Sequence, residues 1–146
     1  MKFTVPGEPC GKARPRVVRN GNVSRTYTPE KTVNYENLVK LEFQRQCNDV
    51  YIGDGGIRMY ITARFSVPSS ASKRKMTAML DGAIRPTRKP DCDNIAKIIC
   101  DALNGVAYRD DAQIVSITVE KQYAAIPGVE IRIEEVLHES LCNPER

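Results

Sequence analysis

Asp91, Asp93, Asp101, Asp110 and Asp111 fall in one stretch, Lys89 to Gln113, of a 146-residue chain whose formal net charge is +4. Carboxylates repel one another, so a fold that gathers them needs a cation, a shared proton or ample water. Arg88 and Lys89 directly precede the cluster, and further Lys and Arg residues lie upstream. Acids surrounded by bases suit the task of bringing a polyanion to a bound divalent metal. The chemistry that combination serves is phosphodiester hydrolysis, the work of a nuclease.

The spacing sharpens the expectation. Asp91 and Asp93 flank Cys92 at the mouth of an expected helix. In an extended lead-in, side chains two apart point the same way, so both carboxylates can converge on one point, where a helix dipole favours negative charge. Mg²⁺ accepts one or two carboxylates and fills its octahedron with water and phosphate oxygens. A third carboxylate from Asp111, arriving from the loop before the next strand, would complete the set. Lys97 lies one turn beyond Asp93 and can reach back to hold the acids, steer a water or stabilise charge on the phosphate. No serine–histidine or cysteine–histidine pair competes, since His138 is the single histidine. Taken singly, each feature also has an ordinary structural reading: Asp93 as a helix cap, Asp93–Lys97 as an i,i+4 pair, Asp110–Asp111 as a turn.

Several elements must position these groups. Ile95, Ile98, Ile99 and Ala102 share one face at helical spacing, which predicts a helix from about Asp93 to Asn104, ended by Gly105. Asp93, Lys97, Asp101 and Asn104 gather on the other side. Lys2–Val5 is expected as a short strand, and Cys10–Thr26 as a long loop or loose hairpin around Asn20–Gly21. Thr28–Pro29–Glu30 predicts a helix start with Thr28 as cap, running to about Gln46, with Val33, Leu38, Leu41 and the stem of Arg45 on its buried side. Ile57–Val67 alternates as a strand with Ile57, Met59, Ile61, Ala63, Phe65 and Val67 on one face. A basic helix is expected near Ser70–Leu80, then a loop over Asp81–Pro90. Ile114–Tyr123 alternates as a strand, and Val129–Val136 is expected to return beside it as its hairpin partner. The sum is an α+β fold: a small, mostly antiparallel mixed sheet packed with helices, in a single domain over 1–146 with a flexible tail after about 136.

Composition is that of an ordinary globular chain, 41% hydrophobic and 27% charged. Cys10, Cys47, Cys92, Cys100 and Cys142 are odd in number and lack close-paired metal-ligand spacing. With no secretory signal and no bilayer-spanning apolar run, reduced thiols, no membrane association and a cytoplasmic location are expected. Charge is segregated: Lys12, Arg14, Arg16, Arg19 and Arg25 lie early, Lys73, Arg74, Lys75, Arg85, Arg88 and Lys89 lie centrally, and Glu130, Glu134, Glu135, Glu139 and Glu145 close the chain. One face toward an anionic partner accounts for that pattern, and so do solvated loops.

Lys89-Pro-Asp91-Cys-Asp93-Asn94, Lys97, Asp101-Ala-Leu-Asn-Gly105 and Asp110-Asp111-Ala-Gln-Ile114 together resemble the signature of RusA-type Holliday-junction resolvases. Val5-Pro-Gly-Glu-Pro9, Lys12-Ala-Arg14-Pro-Arg16 and Tyr27-Thr-Pro-Glu30 resemble the opening of the prophage-borne branch of that family. The likeness runs from Val5 to about Glu120. It implies a homodimeric, Mg²⁺-dependent endonuclease (Mn²⁺ as a substitute, no organic cofactor) that nicks opposing strands of a four-way DNA junction in recombination and repair. It puts metal ligands at Asp91, Asp93 and Asp111, the catalytic lysine at Lys97, and an accessory role at Asp110. Lys12, Arg14, Arg16, Arg74, Arg88 and Lys89 would then neutralise phosphates along the junction arms. Two rivals stay open: a branched-DNA-binding module without cleavage, and a less selective flap or fork nuclease.

Overall fold

In the computed structural model, which describes residues 1–137, the chain runs β1 (Lys2–Pro6), β2 (Arg16–Asn20), β3 (Val23–Tyr27), α1 (Glu30–Cys47), β4 (Gly56–Ser66), α2 (Lys73–Leu80), α3 (Cys92–Leu103), β5 (Ile114–Ala124) and β6 (Gly128–Val136). A short 3₁₀ turn, Asp111–Gln113, leads into β5. The fold is α+β, as expected. His138, Cys142, Glu139, Glu145 and the tail lie outside the described residues.

The main sheet has the order β1-β6-β4-β5. β4 sits inside it because its inner face is apolar throughout: Ile57, Met59, Ile61, Ala63 and Phe65 are all at most 1% exposed. Val67 falls just past the strand. β6 does not pair with β5. It runs antiparallel to β4 on one side, while β5 runs parallel to β4 on the other. Pro127–Gly128 does turn the chain, but the Ala124–Gly128 link crosses the end of β4 instead of closing a hairpin. Two strand spacings are about 10 Å, and four residue steps reach about 14 Å, so the link is long enough. A parallel pair needs a long crossover, and the segment between β4 and β5, with α2 and α3, supplies it.

α1 and α3 cover one face of this sheet and touch each other. α1 starts at Glu30 with Pro29 in the cap position and no side-chain cap bond, so Thr28 does not cap it. Its buried side is Thr32, Tyr35, Val39, Glu42, Phe43 and Cys47, while Val33 and Leu41 are 41% and 57% exposed. Aromatic rings bury the larger area, and Phe43 meets Phe3 of β1 edge-on with centroids 5.4 Å apart. α2 begins at Lys73, capped by Ser72, whose hydroxyl accepts from the Lys75 N–H at 3.3 Å. The Ser70–Ser72 part of the expected helix is therefore outside it.

β2 and β3 form a separate two-stranded hairpin. Its two-residue loop is Gly21–Asn22, with Gly21 at φ 63°. A positive φ at the first loop position is what glycine supplies without strain.

Candidate active site and nucleic-acid cleft

The N-terminal end of α3 is held by a close approach from the loop before the hairpin. A Cβ on Gly11 would lie 2.8 Å from the Pro90 Cβ, so only glycine lets the two segments meet. The Lys12 backbone N–H then donates to the Asn94 carbonyl at 3.1 Å. Asn94 in turn donates from Nδ2 to Asp91 Oδ1 at 2.6 Å. That bond, with Asp91's own backbone N–H and the nearby Lys89 charge, holds the Asp91 carboxyl below its usual range. Asp91 is the cap residue and Asp93 stands in the first turn. The two acids therefore flank Cys92 across a helix start and not along an extended lead-in.

Further along α3, Lys97 turns away from Asp93. Its Nζ lies 3.8 Å from Asp101 Oδ2, the carboxylate one turn on. Asp101 also accepts Lys12 Nζ at 3.1 Å, and Lys12 reaches Glu36 Oε1 of α1 at 2.5 Å. Burial alone would lower the Lys12 pKa, but the hydrogen bonds it donates to Glu36 and Asp101 outweigh it and raise it. Lys12 is thus a cross-brace between α1 and α3 whose ammonium is committed to two carboxylates. Lys12 also lines the cleft at Asp91 and Asp93, where these two pairings compete with its expected part as a phosphate contact.

Gly105, at φ 74°, ends α3. The turn that follows is packed under the fold: Ala107 and Tyr108 are fully buried, and the Tyr108 hydroxyl donates to the Cys100 carbonyl at 2.8 Å. This fixes the path from α3 to the second acid pair. Asp110 accepts from the Ala112 N–H at 2.9 Å, and its own N–H donates to Gln113 Oε1 at 3.0 Å. Gln113 Nε2 also donates to the Gly55 carbonyl at 2.9 Å, tying the turn to the start of β4. Asp111 is exposed. The neighbouring Asp110 side chain, some burial and the Asp101 charge push its carboxyl above the usual range, opposed by Lys97.

Two acid pairs result. Asp91 and Asp93 sit at the start of α3; Asp111, with Asp110 beside it, sits within electrostatic reach of Asp101 and Lys97. Among the described residues, no three His, Cys, Asp or Glu side chains are gathered tightly enough to hold a metal ion by themselves. The donors themselves are hard carboxylate oxygens. They fit Mg²⁺, which needs only one or two protein carboxylates beside water and substrate oxygens.

A cleft of about 950 Å³ opens at Asp91 and Asp93, and its other walls carry Arg14, Arg16, Lys31, Lys89 and Asn94. Among the described residues neither Arg14 nor Arg16 has an acidic partner within ion-pair distance. Arg88 stands apart from this group, 3.7 Å from Glu8 and over the Phe65 ring at 5.1 Å. Arg74 is exposed on α2 and does not line the cleft. Asp101, Asn94 and Lys31 were not among the expected site residues. The 93/97/101 stripe signalled Asp101, whereas Asn94 and Lys31 belong to the site only through the folded loop contacts.

A family model described as Endodeoxyribonuclease RusA matches residues 6–134. The chain belongs to the RusA endodeoxyribonuclease family. It is also 39% identical over 139 residues to "Uncharacterized protein YqaN" of Bacillus subtilis (strain 168), covering 93% of this chain and 96% of that one. RusA membership makes it a crossover junction endodeoxyribonuclease, of a class that binds branched DNA and depends on a divalent metal. No helix among the described residues is long and apolar enough to cross a membrane.

Proposed function

We propose that this RusA-family enzyme resolves four-way DNA junctions by paired, Mg²⁺-dependent nicks in recombination and repair, with Mn²⁺ able to substitute. The observation that carries this reading is the shared cleft, in which Asp91 and Asp93 face Arg14, Arg16 and Lys89. Anionic DNA is drawn by the Arg and Lys side chains to the one part of that wall that would otherwise repel it, and a dication held by the carboxylates would remove the conflict.

Asp91, Asp93 and Asp111 would hold the cation. The chemistry a bound dication supplies is polarisation of the scissile phosphate and a water acidic enough to attack near neutral pH. Lys97 stabilises charge that develops on the phosphate, and Asp101 orients its ammonium. Asp110 serves as accessory, setting the turn that presents Asp111. Arg14, Arg16 and Lys89 fix the backbone next to the acids without reading bases. Arg74 and Arg88 contact the arms farther out. Lys12 stiffens the wall instead of touching phosphate. Because a four-way junction has two strands to cut and the described residues of each chain form one cleft with these acids, the working unit is a homodimer, and the setting is the cytoplasm.

The test is a labelled four-way junction incubated with Mg²⁺ and, in parallel, with EDTA. Symmetric nicks that require the metal support the enzyme. Binding without nicks favours a branched-DNA-binding module, the second reading, which the lack of a ready three-ligand group among the described residues leaves open. Equal cleavage of junction, fork and linear duplex in competition would instead favour a less selective flap or fork nuclease. A particle mass of one chain would remove the dimer.

A further inference from the structure

The hairpin β2–β3 stands outside the main sheet, and every one of its strand residues is exposed. An isolated two-stranded ribbon is at best marginally stable in water, and this one also exposes Val17, Val18, Val23 and Tyr27 at 45–60%. Its chemistry names the partner. Between Glu8 and Glu30 there is no acidic residue, while Lys12, Arg14, Arg16, Arg19 and Arg25 all fall there. Among the described residues, no carboxylate lies within ion-pair distance of the last four.

The pairing register separates the two faces. Arg16 opposes Tyr27, Val18 opposes Arg25, and Asn20 opposes Val23, so these six share one face; Val17, Thr26, Arg19 and Ser24 share the other. The first face is continuous with the cleft, because Arg16 lines the cleft beside Asp91 and Asp93. Past it, Val18, Asn20, Val23 and Arg25 line a second hollow of about 430 Å³. From Arg16 to Asn20 the ribbon extends about 14 Å, close to the length of four stacked nucleotides.

We propose that this face is an arm that carries the DNA strand leaving the cleft. Arg16 and Arg25 bind successive phosphates. Tyr27 stacks on a base whose neighbour is lost at the branch point, and Val18 and Val23 close the hollow against sugar and base. The arm rests on the cleft reading for its direction, but it makes its own prediction about faces.

The test measures affinity for a fluorescent synthetic four-way DNA junction in EDTA, so that binding is read without cleavage. Arg25→Ala and Tyr27→Ala each weaken binding by about tenfold, and Arg25→Ala also lowers the slope of log affinity against log salt by about one. Tyr27→Phe, which keeps the stacking ring, restores binding. Arg19→Ala, on the opposite face, stays within about twofold of wild type. Unchanged binding by Arg25→Ala and Tyr27→Ala overturns the arm, as does an equal loss in Arg19→Ala. A changed particle mass in Arg25→Ala or Tyr27→Ala overturns it too, by making this face a contact between chains. Wild-type nicking of the same junction with Mg²⁺ is scored alongside. Nicking with face-blind binding sinks only the arm; face-specific binding without nicking sinks only the cleft chemistry.

Discussion

Along α3, Ile95, Ile98, Ile99, Ala102 and Leu103 are each at most 1% exposed, whereas β2 and β3 contain no buried residue at all. Both segments carry charges toward the same cleft, the helix acids and the hairpin bases. The difference follows from what each charge must do. Hydrolysis needs groups held within a fraction of an ångström, and only a packed element does that. Neutralising phosphate is a long-range, geometrically tolerant interaction, and an exposed ribbon suffices. On the proposed reading, the chain puts rate on its most buried helix and affinity on its least buried strands.

The largest effect that would sharpen this contrast lies at the packed end. Asp93→Asn keeps the volume and the helix start but removes the charge, and junction nicking falls by at least about a thousandfold, below detection on a gel. Junction binding survives or tightens, since a negative charge facing phosphate is gone. Lys97→Met costs about a hundredfold in cleavage rate with little change in affinity. If either variant lost binding and cleavage in equal measure, rate and affinity would not be divided between these elements.

Stability offers the next test. Ile98→Ala removes a fully buried side chain and lowers unfolding free energy by about 2 to 5 kcal/mol. Val18→Ala removes an apolar group that is 51% exposed and shifts stability by less than about 0.5 kcal/mol. Thermal or denaturant melts of the two variants suffice. A hairpin variant as costly as the helix variant would show the ribbon to be part of the core.

The contrast also explains what was legible beforehand. The period of Ile95, Ile98, Ile99 and Ala102 announced α3 to within a residue at each end, and the alternation of Ile57 to Phe65 announced β4, because both elements are buried along one whole face. Asp91, Asp93 and Lys97 could be placed together because they lie at the start of that helix and along it. The partner of β6 could not, since local alternation says that a strand exists and not which edge it takes. The buried face of α1 misled because Val33 and Leu41 fit a helical stripe as well as Tyr35, Val39 and Phe43 do. The pairing of Lys12 was hidden for a related reason: its neighbours in sequence are basic, while its partners Glu36 and Asp101 come from two helices far along the chain.

At the loose end of the cleft the effects are smaller and depend on salt. Arg14→Ala removes one phosphate contact, so the slope of log affinity against log salt falls by about one. The deficit is greatest at low salt and shrinks as salt rises, because the lost contribution is the one that salt screens. An unchanged slope would return Arg14 to the solvent and leave the cleft wall to Arg16 and Lys89.

The smallest expected effect belongs to the scaffold beneath α3. Glu42, nearly buried on α1, accepts from Arg45 Nε at 3.1 Å, from Arg45 NH2 at 2.7 Å and from Gln46 Nε2 at 2.6 Å, and Gln46 bonds both the N–H and the carbonyl of Thr4 in β1. The Arg45 and Gln46 hydrogen bonds lower the Glu42 pKa from its ordinary 4.5. A carboxyl whose folded pKa is depressed adds stability above the unfolded value and loses it as pH falls through the folded value. Wild type therefore loses part of its stability below about pH 4.5, and Glu42→Gln, less stable at neutral pH, loses less over that range. Melting temperatures at pH 7 and pH 3 read the difference. Junction affinity at neutral pH stays unchanged in this variant, because α1 anchors the sheet that carries the helix and makes no part of the ribbon.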